Sequence, residues 1–233
     1  MAVPAARLAL LFAFSLATAA GATERVELGG FAIDRTEVTV ARFTEFAAET
    51  GLVTAAEREG GGHEWASGWE RRAGWTFRAP FGSPVEDVAE PAVHVSWFEA
   101  RDFCAWAGGR LPTRAEWQTA AYREEGAGAA GGFRPGTTYP YPTGQTAEGA
   151  NASGDDRWPR HAPAAATKAG VNGLYDMGGN AWEWLADREG GQALAAGGSW
   201  WYGADKMRAD AMQWKPAGLY VVYIGFRCAY DVG

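Results

Sequence analysis

Residues 91–117 read PAVHVSWFEARDFCAWAGGRLPTRAEW and contain two complete helix-capping signals. Ser96 precedes Glu99 by three residues, and Thr113 precedes Glu116 by the same spacing, which is the capping-box pattern of a helix N-terminus. Behind the first signal, small and apolar residues recur at helical spacing, namely Ala100, Phe103, Cys104 and Ala107. We therefore predict two helices here, the first of which turns Cys104 toward the core.

A third helix is indicated upstream of this stretch. Thr39 is a suitable N-cap residue, and Gly51 is a suitable stop. The apolar residues between them recur at helical spacing, and the face that we expect to be buried comprises Val40, Phe43, Phe46 and Ala47.

Beyond Ala121 the apolar residues follow neither the helical period nor the strand period. The chain contains 32 Gly, 11 Pro and 12 Trp, a composition in which glycines permit unusual turns while large rings bury much area. We expect irregular, loop-dominated structure to fill the second half.

The N-terminus has the features of a cleaved export signal over residues 1–22. Arg7 precedes an apolar run from Leu8 to Leu16, and small residues follow up to Ala22. A membrane anchor is the alternative, but the apolar run is shorter than the about 20 residues that span a bilayer. We expect an exported protein, periplasmic or secreted, with no membrane span and with residues 23–233 as a single domain.

The charge balance disfavours nucleic acid as a partner. The net charge is -7, and the 21 Lys and Arg residues form no run that could follow a phosphate backbone.

Cys104 and Cys228 are the only cysteines. In an exported chain, an even cysteine count favours a disulfide over a metal-thiolate site. Two free buried thiols are the alternative.

The segment from Asp176 to Glu183, DMGGNAWE, places three oxygen-bearing side chains around a glycine pair. Calcium binds six to eight oxygens, and glycines let the backbone turn carbonyl groups inward. The alternative is ordinary loop capping by Asp176 and Asn180.

Five blocks, in order along the chain, together resemble the formylglycine-generating enzyme (sulfatase-modifying factor) family over about residues 27–231. They are EVTVARFTEF from Glu37, the stretch from Pro91 quoted above, GLYDMGGNAWEW from Gly173, GGSWWYG from Gly197 and GFRC from Gly225. The resemblance implies an atypical C-type-lectin-like α+β fold with little regular structure. It also implies a disulfide between Cys104 and Cys228.

The resemblance further implies two structural calcium sites. One takes the side chains of Asp176 and Glu183 and the carbonyl groups of Gly179 and Ala181. The other lies in a second loop. It takes the side chains of Asn151 and Asp156 and the carbonyl groups of Ala152 and Trp158.

The family's two copper-binding cysteines correspond here to Tyr202 and Met207. A phenol oxygen and a neutral thioether do not reproduce the two thiolates that Cu(I) prefers. We therefore expect no formylglycine-generating activity of the copper type. The resemblance also implies that other branches of the family lack this cysteine pair. The loss of the pair therefore leaves other activities open.

The resemblance places Ser199 and Trp182 along the family's substrate groove, and core packing is the alternative for Trp182. Near Ser199, proton transfer is open to Tyr202, Asp205 and Lys206, although a solvated loop explains these residues equally well. A serine-hydrolase site at Ser199 is disfavoured because the nucleophile-elbow pattern is missing.

The three histidines are His63, His94 and His161, and nothing in their spacing predicts a shared iron site. His94 is expected to be a buried side chain whose ring is hydrogen-bonded.

Two functions are compatible with these residues. The first is an exported oxidative tailoring or maturation enzyme with a peptide or small-molecule substrate in its groove. The second is a calcium-stabilised binding or accessory module without chemistry. Neither the redox metal nor the oligomeric state is indicated by the sequence.

Overall fold

The computed structural model describes residues 24–126, 130–154 and 157–233. The predicted export signal and Asp156 lie outside these residues. Within them, no helix has the length and the apolar character that crossing a membrane requires.

Four α-helices lie in the first half of the described chain. They are α1 Val40–Thr50, α2 Ala55–Arg58, α3 Trp97–Trp106 and α4 Arg114–Tyr122.

The three predicted helices are confirmed together with their caps. Ser96 and Thr113 accept the backbone N–H groups of Glu99 and Glu116, whose carboxylates bind back to the cap. Thr39 caps α1, and Gly51 ends it with a φ of 70°, a left-handed conformation that glycine adopts without steric cost. The predicted face of α1 is the buried one.

Helix α2 was not predicted, although Thr54 and Glu57 form a complete capping box. The helix has four residues, too few for an apolar period to show in the sequence.

Three sheets complete the described fold. The first has the antiparallel order β1 Arg25–Leu28, β2 Phe31–Asp34 and β9 Ala229–Asp231. The second is the hairpin of β3 Gly61–Trp65 and β4 Trp69–Ala73. The third has the order β7 Gln213–Pro216, β6 Gln192–Ala196, β5 Trp182–Glu189 and β8 Ile224–Gly225.

The prediction of a loop-dominated second half is confirmed, although the strands of the third sheet were not predicted within it. The described residues from 123 to 181 are irregular apart from short 3-10 turns at Ala130–Gly132 and Val171–Gly173. Two further 3-10 turns, Ala204–Met207 and Ala209–Ala211, precede β7. Strand β5 escaped prediction because its first four residues, Glu183 included, are all buried, so that burial does not alternate along the strand.

The core joins the two ends of the described chain. Phe43 of α1, Phe103 of α3 and Phe226 pack together, with ring centroids 5.3 to 6.1 Å apart. Beside them, a disulfide joins Cys104 to Cys228, as predicted, and both cysteines are fully buried.

Candidate functional site

A buried ion pair between Glu183 of β5 and Arg227 lies at the centre of the site. The Arg227 Nη2 atom is 2.7 Å from Glu183 Oε1, and both side chains are shielded from solvent. The Arg227 Nε atom contacts both carboxylate oxygens at 2.9 Å, and the Trp117 indole N–H donates to Oε2 at 2.7 Å. Arg227 also donates to three backbone carbonyl groups, those of Asp34, Arg35 and Tyr175.

Asn180, close to this pair in sequence, links Glu37 to neighbouring segments. Its Nδ2 donates to Glu37 Oε2 at 2.6 Å, and its Oδ1 accepts from Asn151 Nδ2 and from the backbone N–H of Ala162. The other oxygen of Glu37 accepts from the backbone N–H of Ala181. Asn180 has a φ of 53°, the left-handed conformation that asparagine tolerates.

Carboxylates outnumber cations in this buried network. Burial, followed by the charges of Asp176 and Glu183, raises the pKa of Glu37 well above its usual range. Burial also raises the pKa of Asp176 to about 6. Arg227 opposes both shifts because it stabilises the ionised forms.

The predicted calcium ligands differ in whether their oxygens are available to bind a cation. Asp176 Oδ2 and Asn151 Oδ1 are buried oxygens without a hydrogen-bond partner in the described residues, and such atoms suit a hard cation. Glu183 differs, because its two oxygens already make four contacts with donors, which fills the capacity of a carboxylate. Asp176 and Asn151 therefore fit a calcium ion, whereas Glu183 would have to exchange a hydrogen bond of Arg227 or Trp117 for the metal.

The two predicted calcium loops lie against each other. A Cβ atom on Gly179, which has a φ of 86°, would lie 2.2 Å from the carbonyl oxygen of Asn151, so only glycine allows this approach. Ala152 and Trp158 are partly buried in the second loop. Both calcium sites stay predictions. In the described residues, no three His, Cys, Asp or Glu side chains are grouped to hold a metal ion.

The predicted catalytic residues differ in exposure. Ser199 is 1% exposed, and its Oγ accepts a long hydrogen bond from the backbone N–H of Trp201. Trp182 is fully buried, with an indole N–H that finds no acceptor in the described residues. Tyr202 is partly buried, and its ring meets that of Trp182 edge to face at 5.7 Å. Trp182 and Tyr202 therefore lie in contact, and burial raises the pKa of Tyr202.

The residues at the copper positions of the resembled family face different surroundings. Met207 is buried, and its methyl group packs closely on Gly178. A Cβ atom added at Gly178 would lie 2.7 Å from the Met207 methyl carbon. Tyr202 instead packs on Trp182 and Tyr223. The nearby Lys206 forms an ion pair with Asp205 at 2.9 Å in an exposed part of this loop.

Lys215 of β7 is a functional candidate that sequence reasoning missed. Its Nζ lies 5.0 Å from the centroid of the Trp182 ring and hydrogen-bonds to Gln213 at 2.9 Å. Burial lowers the pKa of Lys215 to about 8, and no carboxylate in the described residues forms an ion pair with it. Lys215 pairs in register with Ala193 of the neighbouring strand β6. The sequence could at most have indicated that Lys215 lies on a strand. Without the order of the strands in the sheet, it could not place Lys215 beside Trp182.

Each of the three histidines makes its own set of contacts. The His94 ring is fully buried, as predicted, and is hydrogen-bonded to the carbonyl group of Pro80 at 3.0 Å, although Nδ1 lacks a partner in the described chain. Burial lowers the pKa of His94 to about 4. His63 packs against Tyr220 with ring centroids 5.0 Å apart. His161 binds the carbonyl group of Val222 at 2.9 Å.

Comparison with known proteins agrees with this architecture. Residues 11–232 match the family described as sulfatase-modifying factor enzyme 1-like domain. The chain is 33% identical over 199 residues to the formylglycine-generating enzyme of Thermomonospora curvata, covering 72% of this chain and 63% of that protein. It is 30% identical over 251 residues to the hercynine oxygenase of Mycolicibacterium smegmatis, covering 89% of this chain and 54% of that protein. The chain thus spans less than two-thirds of either relative.

The solved structure of PvdO from Pseudomonas aeruginosa is similar in fold, with a TM-score of 0.65 and 21% identity, covering 87% of this chain and 80% of that one. This similarity confirms the predicted fold, an atypical C-type-lectin-like α+β architecture with four helices and several short strands. The chain belongs to the sulfatase-modifying factor enzyme 1-like family.

Proposed function

We propose that this protein is an exported tailoring or maturation enzyme of the oxidative type, acting on a peptide or small molecule without a copper-thiolate centre. The observation that carries the proposal is the placement of Lys215 and Tyr202 against the Trp182 ring. An amine whose pKa lies at about 8 exchanges protons near neutral pH. The names of the two relatives, an oxygenase and a formylglycine-generating enzyme, support an oxidative reaction class.

The site residues have separate roles in this proposal. Lys215 takes a proton from the substrate, and Tyr202, which packs on the buried Trp182 ring, holds an aromatic or apolar part of it by ring contacts. The buried loop around Ser199 keeps Tyr202 in position, because the backbone N–H of Tyr202 donates to the Ser199 carbonyl group at 2.9 Å.

A second function is favoured by a different observation. Ser199 and Trp182 are 1% and 0% exposed, whereas Trp201 beside them is 48% exposed. Buried residues cannot touch a substrate without movement, while an exposed tryptophan suits binding. A calcium-stabilised binding or accessory module without chemistry has this pattern.

The two functions are separated by metal analysis followed by a substitution. Stoichiometric iron or copper in protein purified from its native compartment supports the enzyme, and calcium alone supports the binding module. If oxygen consumption is found with a panel of peptides and aromatic metabolites, Lys215→Met should abolish it. The matched Lys168→Met should retain it, because the Lys168 ammonium group hydrogen-bonds to the Thr143 carbonyl group rather than lying over the Trp182 ring. An equal loss in both variants, or no loss in Lys215→Met, contradicts the role of Lys215.

A further inference from the structure

A cavity of about 380 Å³ lies between the loop of residues 80–90 and residues 159–161. The loop is held in place by backbone hydrogen bonds from α1, whose Val40 and Ala41 N–H groups donate to the carbonyl groups of Glu90 and Val88. Neither Ser199, Trp182, Tyr202 nor Lys215 lines the cavity. A ligand of this cavity would therefore be independent of the function proposed above.

The lining of the cavity includes a guanidinium group that has no ion-pair partner among the described residues. Arg160 lies over the ring of Phe81, with its Cζ atom 3.9 Å from the ring centroid. No carboxylate in the described residues forms an ion pair with Arg160, and its guanidinium makes no hydrogen bond to them. Because a guanidinium carries five N–H donors in a planar fork, it suits a carboxylate held by two parallel hydrogen bonds.

The cavity also offers carboxylates that form no ion pair with the described residues. Glu86 and Glu90 both line it. Burial raises the pKa of Glu90, and the charges of Asp87 and Glu86 add to that shift, while Arg160 lowers it from a distance. Glu86, Glu90 and Arg160 therefore bring both signs of charge to the lining of one cavity.

His161 adds a buried acceptor that lacks a donor. Its Nε2 is 2.9 Å from the Val222 carbonyl oxygen, which can only accept, so Nε2 carries the proton and Nδ1 is free to accept. Nδ1 is buried in a residue that is 6% exposed, and it has no partner in the described chain. Burial lowers the pKa of His161 to about 3, so the ring stays neutral and Nδ1 stays an acceptor at neutral pH. A buried acceptor of this kind is costly unless something donates to it.

We propose that this cavity binds a small zwitterion with the chemistry of an α-amino acid. The carboxylate of the ligand pairs with Arg160, and its ammonium group donates to Glu90 and to His161 Nδ1. Phe81, Pro84 and Val85 line the same cavity and suit an apolar side chain. A simple cation is disfavoured by Arg160, and a simple anion is disfavoured by Glu86 and Glu90, so a ligand with both charges is the one that the cavity complements.

The test is calorimetric titration of the full chain with each standard L-amino acid, beginning with L-leucine. For every amino acid that binds, the analogue with an amide in place of the carboxylate and the analogue without the amine are titrated in parallel. Each analogue should bind at least about tenfold more weakly, because each loses one charge-assisted contact. Arg160→Gln and Glu90→Gln should each weaken binding of the parent amino acid by a similar factor.

Arg157→Gln is the matched control, because Arg157 is exposed, stacks on Trp158 and does not line the cavity. It should bind the amino acid as the unmodified protein does. The melting temperature of each variant shows whether it is folded. Absence of binding by every amino acid at millimolar concentration overturns the proposal. Equal affinity for the amide analogue, or an equal loss in Arg157→Gln, also overturns it.

Discussion

Replacing Arg227 by methionine should reduce stability more than any other single substitution of a charged residue in the described chain. Arg227 is fully buried, pairs with Glu183 and donates to three backbone carbonyl groups. Methionine fills a comparable volume but leaves Glu183 without its cationic partner and the carbonyl groups without donors. Removing one partner of a buried ion pair costs about 3 to 5 kcal/mol, a large share of the about 5 to 15 kcal/mol that stabilises a typical domain.

The loss should depend on pH in a direction that the structure fixes. The pKa of Asp176 in the folded protein is about 6, above its ordinary value of 3.8. Between these two values the folded state holds a proton that the unfolded state has released, so stability from this group rises as the pH falls. Arg227 lowers the pKa of Glu37 and of Asp176. Without it, both carboxyl groups take up protons at higher pH, and the deficit of the variant should shrink on mild acidification.

Urea unfolding at neutral pH and at about pH 5 measures both effects. Arg227→Lys should lose less than Arg227→Met, since lysine keeps the charge but not the planar fork. Arg101→Met is the control, because Arg101 pairs with Asp102 in an exposed position, and it should change stability by no more than about 0.5 kcal/mol. A deficit in Arg227→Met that matches the control, or one that grows toward about pH 5, would refute the reasoning.

Three further results are expected. Replacing Cys104 and Cys228 together by serine should cost up to about 4 to 5 kcal/mol in denaturant unfolding, because the disulfide closes a loop of 124 residues; finding both thiols alkylatable in the native protein would contradict this. Calcium at about 100 times its dissociation constant should add about 2.7 kcal/mol, and Asn151→Ala should reduce the gain; coincident melting curves with chelator and with calcium would exclude the sites. A sulfatase-type cysteine peptide incubated with copper and a reductant should yield no formylglycine by mass spectrometry, whereas Tyr202→Cys combined with Met207→Cys should gain Cu(I) binding; formylglycine made by the unmodified protein would overturn this.

The helices could be predicted because their signals are local. A capping box needs two residues three positions apart, and the buried face of α1 recurs within eleven residues. The four-stranded sheet could not be predicted in this way. Its β5 strand is buried on both faces at its start, and its parallel partner β8 has two residues and lies about 40 positions away.

The site could be predicted in composition but not in pairing. Glu183 and Asp176 were found from a short acidic and glycine-rich stretch, which is a local signal. Their actual partners come from remote parts of the chain. Arg227 lies 44 residues after Glu183, and Glu37 lies 143 residues before Asn180. Lys215 reaches Trp182 only through the order of the strands.

Residues 226–231 supply partners to elements from the beginning of the described fold: Phe226 to the aromatic core, Cys228 to α3, and β9 to β2. During synthesis these residues leave the ribosome after the other core residues that the structure describes. A growing chain that stops before them has an open sheet edge at β2, an unpaired Glu183 and an unpaired thiol at Cys104. Core assembly must therefore wait until translation has passed residue 231. Because these contacts join distant positions, closure of the core should be the slow step of folding.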